Sequence, residues 1–264
     1  MGLFNTLKKE KWRGTLTIGI TTFERRFETY FVPLVEQIRG MDVEIEIVVA
    51  VNGEHQHRFS ERYRTALLRF IAGQPNLFPI VFPQFRGLAK LWNSIIVNAS
   101  HDHILILNDD VAIPKSNFLE KVRQALTRSQ GKSFTINGSW SHFVISREEI
   151  DQVGYFDERL LGIGEEDGDM TWRYIALYGR PIRDYSISGI SNFSEDTMSE
   201  QPVNIACHSG GKYSQFNRSF VYQSKYQEDP TGIKGMFDVP MSNNDPGPQQ
   251  YPHERFYRDN RNKL

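Results

Sequence analysis

Asp109 and Asp110 close the stretch "HILILNDD", in which four consecutive aliphatics, Ile104 to Leu107, give way to Asn108 and then two adjacent carboxylates. That composition at a strand mouth suits a hard divalent ion. Mg²⁺ or Mn²⁺ takes one or two protein carboxylates and completes its shell with water and phosphate oxygens. It also suits an ordinary turn, because Asn and Asp are common wherever strands stop. A second cluster follows in "GYFDERLLGIGEEDGDMTWRY", where Glu165, Glu166, Asp167 and Asp169 fall between a glycine-rich loop and a helix. Complementing the helix dipole accounts for one or two carboxylates there, and less well for four that repel each other. Gly162, Gly164 and Gly168 let this loop approach a ligand, and a carboxylate held there away from a metal could act as a general base.

The elements that must position these residues alternate regularly. "TLTIGITTF" is β-branched and apolar and predicts a strand running into the polar residues Glu24, Arg25 and Arg26. A helix to Arg39 follows, with a kink or a late start at Pro33. "VEIEIVVAVNGE" predicts a second strand closed by Asn52-Gly53, and Ser60 can cap a helix that stops at Gly73. "FPIVF" predicts a third strand, and Leu88, Leu91, Trp92, Ile95 and Ile96 repeat at helical spacing. A helix after Pro114 turns Phe118, Leu119, Val122, Ala125 and Leu126 inward. This pattern predicts an α/β fold with a mixed, mainly parallel central sheet and helices on both faces. Ligands of such sheets bind outside the carboxyl ends of the strands, where Thr21-Thr22, Asn52 and Asn108-Asp109-Asp110 all fall. Beyond residue 130 the alternation loosens. "SFTIN" and "SHFVIS" read as strands, Ser146 and Glu149 as a capping box on a helix ending at Gly154, and "EEDGDMTWRYIALYG" as a helix with Met170, Tyr174, Leu177 and Tyr178 inward.

The order strand, "NDD", then "GYFDERLLGIGEEDGDMTWR" resembles a GT-A-fold glycosyltransferase of family 2 and its relatives, over about residues 15 to 210. The second motif carries the resemblance through Gly154, Phe156, Asp157, Glu158, Gly164, Glu166, Asp167, Asp169, Met170 and Arg173. The resemblance implies transfer of a sugar from a nucleoside diphosphate donor, UDP favoured, to a carbohydrate or glycoconjugate hydroxyl, with Mn²⁺ or Mg²⁺ as cofactor. It assigns Asp110 as metal ligand, with Asp109 and Asn108 near the ribose and phosphates, Asp167 as base and Glu166 as the residue orienting the acceptor. Thr21, Thr22 and Glu24 fall where that family lines its base pocket, and Arg86, Lys90 and Asn93 where it meets nucleotide or sugar. A late His often completes the metal shell, and "NIACHSGGKYS" offers His208, whose other reading is structural. This sequence departs from the pattern in having Asn52 where an Asp is common and "NDD" rather than a plain Asp-x-Asp. Trp140, in "NGSWSH", could stack on a sugar ring or serve as a core indole. Two other functions fit less closely. A sugar-phosphate nucleotidylyltransferase would show a glycine-rich loop after the first strand, which "TTFERRF" lacks, and a non-catalytic nucleotide- or glycan-binding module would not need Asp110 and Asp167.

The bulk properties agree with a catalytic domain of this size. Of 264 residues, 39% are apolar, and no run approaches the eighteen or so apolar residues of a membrane span. A net charge of −1 argues against a nucleic-acid partner, and the single Cys207 fits a reducing, cytoplasmic setting. The expected organisation is an N-terminal extension over 1–14 and a catalytic domain over 15–226, followed by a polar tail over 227–264. Within the domain, the donor half runs to about 112 and the acceptor half from 113. "MGLFNT" matches a myristoylation pattern ahead of Lys8, Lys9, Lys11 and Arg13, which leaves peripheral membrane contact open beside the reading of a plain solvated terminus.

Overall fold

The computed structural model describes residues 15–53, 59–160, 162–193 and 217–218. His208 and the myristoylation pattern at Gly2 and Thr6 lie outside the described residues. Four parallel strands form one half of a seven-stranded sheet: β1 (Leu16–Phe23), β2 (Glu46–Asn52), β3 (Leu77–Val81) and β4 (His103–Asn108). A short β5 (Val111–Ala112) follows, then β6 (Phe134–Ile136), β7 (Ser139–Ser146), β8 (Arg183–Tyr185) and β9 (Ser191–Asn192). The sheet order is β3-β2-β1-β4-β7-β6-β8, with β7 antiparallel to both neighbours, and β5 pairs separately with β9. The mixed, mainly parallel sheet expected from the alternation is present.

Helices cover both faces. One face packs against α2 (Val32–Met41), α3 (Glu61–Ala72) and α5 (Phe118–Ser129), burying Ile18, Ile20, Val49 and Leu105 of the sheet. The other packs against α4 (Leu88–Asn98), α6 (Arg147–Val153) and α7 (Glu166–Tyr178), burying Val48, Ala50, Ile104 and Ile106. Each of these valines, leucines and isoleucines, taken out of water completely, contributes about 1.5–3 kcal/mol to the driving force for folding. Gly19 lets α4 sit down on β1, because a Cβ there would lie 2.3 Å from Ile95 Cγ2.

Several local expectations hold. The Ser60 hydroxyl accepts from the Tyr63 N–H and Gly73 ends α3, while Gly154 ends α6 at φ +94°. Others are corrected. Helical backbone begins immediately after β1 as α1 (Glu24–Arg26) and continues through a π-helical turn at Phe27–Phe31 into α2. Pro33 therefore sits in the first turn of α2, where the widened turn before it absorbs its missing N–H. Ser146 precedes α6 but makes no side-chain cap bond, and Glu149 is not part of a capping box. Its carboxylate instead accepts from the Ser133 N–H at 2.6 Å and the Tyr174 hydroxyl at 2.9 Å, tying α7 to the sheet. Leu177, expected inward, is half exposed.

Candidate active site

Parallel pairing sets the register of the strand tips. Thr21 is level with Asn108 and Ala50, and Phe23 with Asn52, so the polar ends of β1, β2 and β4 form one edge. At that edge the chain leaves β4 in a turn at Asp109-Asp110, and β9 closes over it through the Phe193 N–H, which donates to the Asp110 carbonyl. The Asp109 side chain is buried and that of Asp110 is 18% exposed. Arg26, the last residue of α1, lies against both: its Nη1 is 2.9 Å from Asp109 Oδ1 and 3.0 Å from Asp110 Oδ2. Among the described residues, Asp109 Oδ2 and Asp110 Oδ1 are buried without a hydrogen bond of ordinary geometry, although the Thr22 hydroxyl lies close enough to the Asp109 carboxylate to favour its charged form. Burial pushes the Asp109 carboxyl above the usual carboxylate range against the pull of Arg26, and the Asp110 charge adds to the rise. His142, level with Leu107 on β7, is held neutral more firmly than a free imidazole by its burial, which outweighs the charges of Asp110 and Asp184.

The second acidic cluster lies at the start of α7, and its four carboxylates have different surroundings. Asp169 is fully buried and pairs with Arg173, whose guanidinium also donates to the carbonyls of Val153, Gly154 and Tyr155. That pair fastens α7 to the end of α6 and explains part of the motif structurally. Glu165, at φ +78°, pairs with Arg218 at 2.8 Å, and the Asn217 amide donates to the Gly164 carbonyl. Glu166 folds back so that its Oε2 accepts from the Gly164 N–H at 2.7 Å. Asp167 accepts from the Gly168 N–H at 2.8 Å and is partly exposed. Burial raises the Asp167 carboxyl, and burial with the adjacent Asp167 charge pushes Glu166 up to about 8. The loop carrying this cluster packs on the N-terminus of α4: the Leu88 N–H donates to the Gly162 carbonyl, and Gly87 admits the Leu160 carbonyl where a Cβ would be 2.9 Å from it. Since α4 follows a parallel strand, its N-terminus lies at the same sheet edge as the Asp109-Asp110 turn.

Elevation of Glu166 has a measurable sign. Between about pH 4.5 and 8 the folded chain keeps a proton that the unfolded chain releases, so stability falls as pH rises through that window. Glu166→Gln removes the titration while its amide oxygen can still accept from Gly164. Its Tm advantage over wild type should be small below pH 4.5, grow with pH and level off above about 8. A pH-independent difference in Tm would contradict the elevated carboxyl.

The Thr21 hydroxyl is 3.5 Å from Asn108 Oδ1, Thr22 is buried with its hydroxyl against the Asp109 carboxylate, and Glu24 is exposed on the first turn of α1. Asn52 uses both ends of its amide on the Arg86 backbone, donating to its carbonyl at 2.9 Å and accepting from its N–H at 2.8 Å. Its observed task is holding the loop between β3 and α4, and Gly53 beside it leaves room for Pro83. The Arg86 guanidinium donates to the Phe85 carbonyl. Lys90 is buried 3.6 Å from Glu158, and Asn93 bonds Glu158 and the Phe156 backbone, so these residues clasp the "YFDE" segment onto α4. Trp140 is half-buried at the start of β7, its ring 4.9 Å from that of Phe143 and 6.1 Å from that of Phe156. It is part of the aromatic core and also partly open at the sheet edge. Arg26 is the residue that sequence reading missed; its signal was a basic residue directly after the first strand, facing an acidic turn. Among the described residues no cluster of three or more His, Cys, Asp or Glu forms a complete metal cage. A cavity of about 480 Å³ between α3 and the end of β3, lined by Phe59, Arg64, Leu67, Val81 and Pro83, touches none of these carboxylates.

No protein-family model matches the chain, and no curated protein sequence does. Solved structures do match. The mannosyltransferase PcManGT from Pyrobaculum calidifontis, in complex with GDP-Man and Mn²⁺, aligns at TM-score 0.52 and 14% identity over 67% of this chain. S. aureus TarS aligns at TM-score 0.51 and 13% identity over 79% of this chain. The chain spans 55% and 43% of the lengths of those two proteins. At such identity the likeness shows the fold. Strand order, helices on both faces and acidic turn together give this chain a GT-A-type glycosyltransferase fold.

Proposed function

We propose that the chain is a glycosyltransferase that moves a sugar from a nucleoside diphosphate-sugar to an acceptor hydroxyl, dependent on a divalent ion and with inversion at the anomeric carbon. The observation that carries this reading is the acidic turn at the carboxyl end of β4, where two buried carboxylate oxygens, Asp109 Oδ2 and Asp110 Oδ1, lack a hydrogen bond of ordinary geometry among the described residues. Orphaned anionic oxygens are costly unless something positive meets them. Their chemistry fits Mn²⁺ or Mg²⁺, which accepts few protein ligands and takes the rest from water and phosphate. Asp110 would hold the ion, with Asp109 beside it; His208 remains a candidate for a further ligand. Such an ion neutralises charge on the departing diphosphate. The complex of PcManGT with GDP-Man and Mn²⁺ supports the pairing of nucleotide-sugar and metal, though its base is guanine, and the preference for UDP rests on the sequence resemblance.

The chain's own groups supply the rest. Asp167, partly exposed with its carboxyl raised by burial, is a better proton acceptor than an ordinary aspartate and takes the proton of the acceptor hydroxyl. The acceptor oxygen then bonds to the anomeric carbon as the bond to the diphosphate breaks, and the nucleoside diphosphate leaves with the electron pair. Glu166 carries a proton at neutral pH and so can donate a hydrogen bond to the acceptor. The open side of Trp140 offers a face for a sugar ring. Nucleotidylyl transfer is less well supported, because β1 passes at Phe23 directly into α1 at Glu24, with no phosphate-cradling glycine loop between them. Asp167 acting as a single base on the acceptor implies one direct displacement. NMR of the product's anomeric proton tests this: an α-linked donor should give a β-linked product, and an α-linked product would refute inversion.

A further inference from the structure

We infer that Arg26 is a fixed counter-charge to the acidic pair, which keeps a free divalent ion from binding tightly and so couples ion binding to donor binding. The inference rests on the metal-dependent reading above. Its first support is geometric: one guanidinium nitrogen bridges Asp109 Oδ1 and Asp110 Oδ2, at 2.9 and 3.0 Å, and takes one oxygen of each carboxylate. The second is immobility. The Arg26 side chain is only 5% exposed, its guanidinium carbon lies 5.1 Å from the Phe23 ring centre and 6.0 Å from that of Tyr30, and the Tyr30 ring in turn packs at a tilt against that of Phe193, centre to centre 5.0 Å. Phe193 is the residue whose N–H holds the Asp110 carbonyl, so the cage and the acidic turn are one packed unit. A surface arginine would swing away from an arriving cation; this one is walled in by aromatic rings.

The consequence follows from charge. Two adjacent ionised carboxylates, one buried and one partly exposed, would carry two negative charges and capture a divalent ion unaided. With the guanidinium in place, the negative charge of the pair is partly neutralised and each carboxylate offers one oxygen. An ion entering there meets a positive charge a few ångströms away in a medium less polar than water. A diphosphate supplies both the missing oxygens and the missing negative charge. Ion and nucleotide therefore bind better together than separately, and by linkage each raises the affinity of the other by the same factor. Arg26 acts through Asp109 and Asp110 and is a positioning residue.

The test measures Mn²⁺ binding by the free ion's electron paramagnetic resonance signal, with and without saturating UDP, in wild type, Arg26→Gln and Arg26→Lys. Wild type should bind Mn²⁺ weakly alone and at least about tenfold more tightly with UDP. Arg26→Gln should bind Mn²⁺ alone about tenfold more tightly than wild type, with a correspondingly smaller gain from UDP. Arg26→Lys, which keeps the charge, should resemble wild type. If GDP replaces UDP as the better nucleotide, the same comparison applies with GDP. Loss of Mn²⁺ affinity in Arg26→Gln, alone and with UDP alike, would make the arginine merely structural and overturn the inference. Should Arg26→Gln fail to fold, wild type alone still decides: Mn²⁺ bound equally well with and without nucleotide overturns the coupling. Wild type that binds neither Mn²⁺ nor nucleotide overturns the proposed function as well, whereas metal-dependent nucleotide binding unaffected by Arg26 overturns only this inference.

Discussion

Asp110→Asn should lower sugar transfer by about 10²-fold or more and weaken Mn²⁺-dependent nucleotide binding to a similar degree, while leaving thermal stability near that of wild type. The expected size follows from what the substitution removes. A neutral amide replaces the carboxylate whose unpartnered oxygen would meet the ion, and the amide offers one weaker acceptor in its place. Stability should hold for two reasons. Asp110 occupies a turn after β4 rather than the sheet, and Arg26 keeps its bond to Asp109 at 2.9 Å. The exchange also relieves repulsion between neighbouring carboxylates, which offsets part of the lost ion pair. Calorimetric titration of UDP in the presence of Mn²⁺ and of EDTA checks the prediction. Unchanged Mn²⁺-dependent affinity in the variant would remove Asp110 from the metal site.

Asp167→Asn should separate catalysis from binding. General base catalysis is worth roughly 10²–10⁴-fold, and the variant should lose that much kcat with its Mn²⁺ and nucleotide affinities unaltered. The amide oxygen can still accept from the Gly168 N–H at the start of α7, so the local backbone has no reason to shift. Glu166 is a poor substitute base: it is buried, folded onto the Gly164 N–H and protonated up to about pH 8. Single-turnover transfer assays beside equilibrium nucleotide binding distinguish the outcomes. A variant that loses donor affinity would place Asp167 in the donor site, and one that keeps transfer would exclude it as base.

Much of this organisation is legible in the sequence because it is local. Ile104 to Leu107 followed by Asn108-Asp109-Asp110 announces a buried strand and its polar mouth, and the aliphatic spacing of α4 and α5 announces the faces that cover the sheet. What escapes local reading depends on which strands become neighbours. Arg26 and Asp109 are 83 residues apart and meet only because β4 pairs with β1. Asn52 reaches Arg86 only because β2 and β3 pair and bring the β3–α4 loop over the end of β2. Glu149 fits a capping pattern, yet Ser133 and Tyr174 from distant elements take its oxygens, a case of tertiary bonds overriding a local one. The π-helical turn at Phe27–Phe31 has no comparable local signature beyond the awkward Pro33 that follows it.

The central claim is that the acidic turn binds a nucleoside diphosphate through a divalent ion. Titrating UDP, GDP and their sugar conjugates into the wild-type chain, each with Mn²⁺ and with EDTA, tests it most directly. At least one nucleotide should bind in the presence of Mn²⁺, EDTA should abolish this binding, and Asp110→Asn should weaken it by about 10²-fold or more. Binding of equal strength in EDTA, or none under either condition, would contradict the claim.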